Sequence, residues 1–106
     1  WRTINQPVES SPLTCCDARS IAATDLVASE RRAKERIGEL QLVSWNPAHR
    51  WYWFPKLQKD EAVLIKTFDS STQVARRSIH SAFANSSAPK NASPRESIES
   101  RALLFF

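Results

Sequence analysis

Apolar and polar positions along the chain follow a strand-like pattern from Gly38 onward. Leu40-Gln41-Leu42-Val43-Ser44-Trp45 reads as a strand. Asn46-Pro47 then predicts a turn, because proline biases its predecessor away from helix. Residues 49–54 are aromatic-rich and strand-like, and Pro55 ends them. Residues 62–68 are β-branched and aromatic, which suits a pleated surface. Asp69-Ser70-Ser71-Thr72 is a turn cluster. Residues 76–83 predict a further strand, 85–94 a loop rich in Ser, Asn and Pro, and 98–106 a last strand. Strands at this spacing, with no long helix between them, predict an antiparallel sheet and a mainly β fold.

The first third is less regular. Pro7 and Pro12 limit ordered structure in residues 1–14. Asp17 or Ser20 is placed to cap a short helix running through Asp25-Leu26 into Ala33, with Leu26, Val27, Ala33 and Ile37 as a weak apolar stripe. The expected organisation is an irregular lead-in with a short helix over 1–37 and an antiparallel β segment over 38–106. Together they form a single incomplete domain.

Composition narrows the class. The 106 residues suffice for one small domain with a modest core. The net charge of +4 includes Arg31-Arg32, Lys34 and Arg36, but Glu30 and Glu35 are interleaved with them. A mixed-sign run is ordinarily a solvated face, so nucleic acid is not expected as a partner. The cysteines are adjacent, Cys15-Cys16, and offer neither a disulfide framework nor a zinc spacing. Unpaired thiols in a reducing cytoplasm are the expectation, and no apolar run is long enough to cross a bilayer. The chain starts at Trp1 rather than Met, which suggests a piece of something longer.

Several residues carry candidate chemistry. His80 shares a strand face with the small residues Ser78 and Ala82, which leaves room for a metal or ligand; the alternative is a hydrogen-bonded histidine packed in a core or rim. Arg95 and Arg101 have the same strand parity. Arg101, between Ile98 and Leu103, is expected to be partly buried, gripping a carboxylate or paired with Glu96 or Glu99. Lys66 and Asp69 bracket a strand end and point toward a pocket or simply toward each other. His49, Trp51, Tyr52 and Trp53 form an aromatic block that lines a substrate pocket or fills a core.

The combined motifs resemble a known family. Asn46-Pro47-Ala48-His49-Arg50-Trp51-Tyr52-Trp53-Phe54 is similar to its N-P-x-H-R-W-Y-Y-F block. Asp60-Glu61-Ala62 with Lys66-Thr67-Phe68-Asp69-Ser70 resembles D-E-A…K-x-Y-D-S, and His80-Ser81-Ala82-Phe83 resembles H-T-A-F. Pro94-Arg95-Glu96-Ser97-Ile98-Glu99-Ser100-Arg101-Ala102-Leu103 resembles P-R-E-S-I-E-V-R-A-L. Trp1-Arg2, Pro7-Val8 and Cys16-Asp17-Ala18-Arg19-Ser20 fit its front end. The family is the fungal hydroxylase/desaturase group of the AsaB type, related to cephem methoxylase proteins. Ile79, where proline is common, Arg77, where an aromatic is usual, and residues 28–37 depart from its pattern.

The resemblance implies the C-terminal half of a double-stranded β-helix of the jelly-roll type. It implies Fe(II) and 2-oxoglutarate as cofactors of the parent protein, and hydroxylation or desaturation of a small organic molecule of secondary metabolism. His80 matches the family's distal iron ligand, and Arg101 or Arg95 matches its oxoglutarate arginine. No His-x-Asp or His-x-Glu pair occurs in the chain. The expectation is therefore a piece that binds no cofactor and is inactive alone, with exposed strand edges through which it associates. The rival readings are a non-catalytic remnant and a small basic binding module.

Overall fold

The computed structural model describes residues 1–4 and 7–105. Its central element is β2 (Leu13–Cys16), which pairs antiparallel with β5 (Trp51–Trp53) on one side and β6 (His80–Ala82) on the other. The register sets Cys15 opposite Tyr52 and His80, and Thr14 opposite Trp53 and Ser81. A second small sheet joins the two ends of the chain: β1 (Arg2–Thr3) pairs with β7 (Ser97–Ile98). Trp1 and Val63 exchange main-chain hydrogen bonds, from the Trp1 amino group to the Val63 carbonyl and from the Val63 N–H to the Trp1 carbonyl.

The two sheets meet through a small core. Trp1, Val8, Leu13, Phe54, Leu57 and Val63 surround a void of about 10 Å³, the lower limit for one water. Val8, Leu13 and Leu57 are buried, with Pro12 and Thr3 beside them. Many other apolar side chains stay exposed; Leu64 is 96% exposed and Phe105 90%.

The short helix expected between Asp17 and Ala33 is not formed. Two single 3-10 turns, Ala18–Ser20 and Ala23–Asp25, lead directly into a strand. That strand, β3 (Leu26–Ala33), pairs residue for residue with β4 (Arg36–Val43), from Leu26 opposite Val43 to Ala33 opposite Arg36. Alternation puts Val27, Leu40 and Leu42 on one face of this hairpin, an apolar set that a helix would have scattered. The Arg32 guanidinium bridges Glu30 at 2.8 Å, offsetting the repulsion of Glu30 facing Glu39. The expected boundary after residue 37 falls inside the hairpin, and within the expected lead-in Arg2–Thr3 and Leu13–Cys16 are strands of the two sheets. Residues 62–68 are extended but form no ladder. The last strand is shorter than expected, covering only Ser97–Ile98 of the described residues; Phe106 lies outside them.

Asp25 fastens the hairpin to the three-stranded sheet. Its carboxylate accepts from the Ala22 N–H at 2.9 Å, from the Asn46 side-chain amide at 3.2 Å and from His49 Nε2 at 2.9 Å. Its carbonyl accepts from the Ser44 N–H at 2.8 Å. The His49 ring is 3% exposed and the Asp25 side chain 10%. Asn46-Pro47-Ala48-His49 thus delivers the chain from β4 into β5 through one buried carboxylate.

Two predictions follow from this packing. Leu13→Ala removes the side chain through which β2 touches the second sheet and should cost about 2–4 kcal/mol of stability, read by urea unfolding; a loss under about 1 kcal/mol contradicts the two-sheet core. The second concerns pH. His49, then Asn46, then the Ala22 N–H hold the Asp25 carboxyl below the usual carboxylate range. The unfolded chain therefore binds a proton at Asp25 before the folded chain does. The stability from this group is complete above the ordinary carboxylate value and is lost as pH falls through the lowered folded value. Asp25→Asn should lower stability at neutral pH and flatten its pH dependence in the acid range below about 4. An unchanged slope in urea titrations across that range contradicts the assignment.

Candidate metal and cosubstrate site

Register and alternation divide the three-stranded sheet into two faces. Leu13, Cys15, Tyr52, Phe54, His80 and Ala82 lie on one; Thr14, Cys16, Trp51, Trp53 and Ser81 lie on the other. Packing agrees with this division. Leu13 and Phe54 line a void with Trp1 and Val63 of the opposite layer, which makes the His80 face the inner one at its Leu13 end, while Tyr52 and His80 on it are exposed. On the other face Trp53 meets Phe83 edge-to-face at 5.4 Å, and Trp51 meets His49 at 6.5 Å.

His80 sits on the short outer strand β6, exposed on that inner face. Its Nδ1 lies 2.9 Å from the Ser78 carbonyl oxygen. A carbonyl only accepts, so Nδ1 carries the proton and Nε2 presents its lone pair. This is the tautomer and orientation of a metal-ligating histidine. Cys15, the cross-strand neighbour, is half-buried, and burial pushes its thiol up, which keeps it protonated. Among the described residues no group of three or more His, Cys, Asp or Glu side chains comes together to hold a metal. His80 therefore fits as one ligand, and these residues alone do not complete an iron centre.

The two arginines separate cleanly. Arg101 is 77% exposed and its Nε is 3.0 Å from Glu99, so the partial burial expected for it is not found and the pairing with Glu99 is. It lies past the end of β7, with no opposite layer over it. Arg95 is half-buried, donates to the Ser11 carbonyl at 2.6 Å and lies over the Trp1 ring at 5.5 Å. It borders the larger cavity, about 330 Å³, lined by Thr3, Pro7, Val8, Glu9, Ser93, Pro94, Arg95 and Glu96.

The remaining candidates lie elsewhere. His49 is enclosed against Asp25, and Trp51 faces away from His80. Lys66 and Asp69 form an ion pair at 2.6 Å at a turn, where Asp69 also accepts from the Ser71 N–H. Lys66, and then Ser71, hold the Asp69 carboxyl low. The first turn after β2 carries a parallel arrangement: Arg19, bonded to both Asp17 oxygens, and Arg50 hold that carboxyl well below its usual range. Sequence reasoning missed Tyr52 and Cys15 as the residues sharing His80's face, and Asp25 as the partner of His49. Parity within residues 51–53 was the available signal, and it needed the β2 register to be used.

The chain as a whole is similar to known proteins. A family model described as "Oxidoreductase/YMDC permease-like domain" matches residues 1–105. The Fe(II)/2-oxoglutarate-dependent dioxygenase nvfI of Aspergillus novofumigatus is 36% identical over 107 residues, covering 99% of this chain and 38% of that protein. The hydroxylase/desaturase asaB of Aspergillus flavus is 33% identical over 121 residues, covering 100% of this chain and 53% of its own length. The solved structure of the iron and alpha-ketoglutarate-dependent endoperoxidase NvfI superposes with a TM-score of 0.80 at 33% identity, over 90% of this chain and 36% of that one. The chain thus spans between about a third and about half of these relatives, in their C-terminal part, and its two facing sheets are part of a jelly roll. No helix among the described residues is long and apolar enough to cross a membrane. The chain belongs to the oxidoreductase/YMDC permease-like domain family and is a relative of the fungal Fe(II)/2-oxoglutarate-dependent hydroxylase/desaturase proteins.

Proposed function

We propose that this chain is the part of an Fe(II)/2-oxoglutarate-dependent oxygenase that supplies one iron ligand and the cosubstrate clamp, for hydroxylation or desaturation of a small organic molecule of secondary metabolism. The observation that carries the reading is His80: an inward-facing imidazole with Nδ1 committed to the Ser78 carbonyl and Nε2 open. When bound, the metal with oxoglutarate and dioxygen supplies the oxidising chemistry. The chain's own residues bind and orient. The Ser78 carbonyl fixes the ring angle and the tautomer of His80. Arg95 offers a planar fork for a carboxylate on the inner side of β7's approach, with Trp1 stacked against it. Arg95 is half-buried and borders the larger cavity, whereas Arg101 is exposed, so Arg95 is favoured as the clamp.

A facial triad takes two histidines and a carboxylate, and this chain offers His80 alone, so the chain by itself is inactive. Two free thiols, Cys15 and Cys16, suit a reducing cytoplasm. The outer edge of β6 offers unpaired main-chain groups through which a further strand associates.

In the full-length protein, His80→Ala should lower Fe(II) affinity at least about 100-fold, beyond the loss typical of an outer-shell partner. Arg95→Lys should raise the oxoglutarate KM about tenfold or more through loss of a charge-assisted hydrogen bond, whereas Arg101→Lys should leave it within about twofold. Unchanged Fe(II) affinity in His80→Ala removes the reading; an effect confined to Arg101→Lys reverses the clamp. The 106-residue chain should form no succinate from oxoglutarate with Fe(II) and ascorbate.

A further inference from the structure

We propose that Tyr52 is the substrate-positioning residue on the His80 face, and that it selects a flat, apolar, ring-bearing molecule with an oxygen substituent. The inference rests on the reading of His80 as a metal ligand and adds to it where the substrate lies. Three cross-strand neighbours form one row across the sheet: Tyr52 on β5, Cys15 on β2 and His80 on β6. Two strand spacings separate the phenol-bearing and imidazole-bearing backbones, roughly 10 Å. The row is large, small, large. Cys15 is half-buried between two exposed rings, so a planar group laid over the thiol lies in the trough between them.

The borders of the trough define the chemistry. Toward Leu13 the same face becomes apolar, with Leu13 and Phe54 packed on Trp1. Toward Asp17 it becomes polar. There Arg19 donates to both carboxylate oxygens of Asp17. A molecule lying over Cys15 therefore meets hydrocarbon toward Leu13, with the Tyr52 phenol on one side and His80 on the other. Its middle rests beside the open Nε2 of His80. Trp51 and Trp53, the more conspicuous aromatics of the same block, point through the opposite face and are spoken for by His49 and Phe83.

The chain holds one tyrosine and two histidines, and His49 is enclosed, so both groups can be observed singly. The protein, carrying Cys15→Ser and Cys16→Ser so that no thiol reduces Cu(II), is labelled with 3-fluorotyrosine and titrated with the nitrilotriacetate chelate of Cu(II), which of the two histidines reaches only His80. As the His80 Cε1 proton signal broadens, the single fluorine signal should broaden several-fold, and His80→Ala should abolish the effect. A fluorine signal that stays sharp while His80 loads the chelate overturns the placement of Tyr52 and leaves the metal reading standing. A chelate that fails to load His80 removes the metal reading and this inference with it. In a second titration, without metal, 2-naphthol should shift the fluorine and His80 signals together and saturably. Tyr52→Ala should weaken that binding at least fivefold at the His80 signal, and Tyr52→Phe, which keeps the ring, by less. No saturable shift, or equal binding by wild type and both variants, overturns the role in selection.

Discussion

Strand β2 is four residues long, and its register determines what the chain can do. The Cys16 N–H donates to the Ile79 carbonyl at 2.9 Å and the Asp17 N–H to the Arg50 carbonyl at 2.8 Å. The Thr14 hydroxyl adds a bond to the Tyr52 carbonyl at 2.9 Å. Each such bond is worth about 1 kcal/mol net, so together they are modest. The stronger constraint is the side-chain period of two: a one-residue slip would send His80 and Tyr52 to the outer face and leave Leu13 without its partners. Burial of Leu13 against Trp1, Val8, Leu57 and Val63 therefore selects the register that brings His80, Cys15 and Tyr52 together.

The hairpin β3–β4 is a different kind of element. Its ladder is long and regular, yet Val27, Ile37, Leu40 and Leu42 are exposed. It holds to the sheet mainly through its base, where Asp25 collects Ala22, Asn46, His49 and Ser44. A buried carboxylate with three partners, its own main-chain carbonyl held by Ser44, is costly to leave half-satisfied and specific when complete. That accounts for Asn46 and His49 flanking a proline: both side chains must turn back to one acceptor while the backbone proceeds into β5. The same cluster orients Trp51 outward and hence Tyr52 inward, so a structural histidine sets which aromatic joins the candidate site.

Much of the architecture was legible in the chain. Strands at 40–43, 51–53 and 80–82 announced themselves through β-branched and aromatic content, and the motif blocks around His49, His80 and Arg95 pointed to the family. The hairpin was not legible as such. Residues 28–36 are rich in Ala, Glu, Arg and Lys, all good helix formers, and the Lys34–Glu35 turn lacks the Asn-Gly or Asp-Gly signal of a tight hairpin. The ladder with β4 outweighed local propensity. Residues 62–68 have the composition of a strand, but one exchange with Trp1 and one bond from the Ser78 N–H to the Lys66 carbonyl do not make a ladder. Within the candidate site, His80 and the pair Arg101 and Arg95 could be read from motif spacing. The choice between Arg95 and Arg101, and the roles of His49 and Tyr52, depended on burial and register, which no linear pattern carries.

The account stands on the pairing of Cys15 with His80. The bond from the Cys16 N–H to the Ile79 carbonyl makes 16 and 79 a hydrogen-bonded pair, so 15 and 80 are a non-hydrogen-bonded pair with their α-carbons about 4.5 Å apart. Such pairs give a strong cross-strand Hα–Hα nuclear Overhauser effect. The account predicts that effect between Cys15 and His80. A strong effect from His80 to Thr14 or Cys16 instead would mean a slipped register, with His80 on the outer face, and would contradict both the site and the fold that positions it.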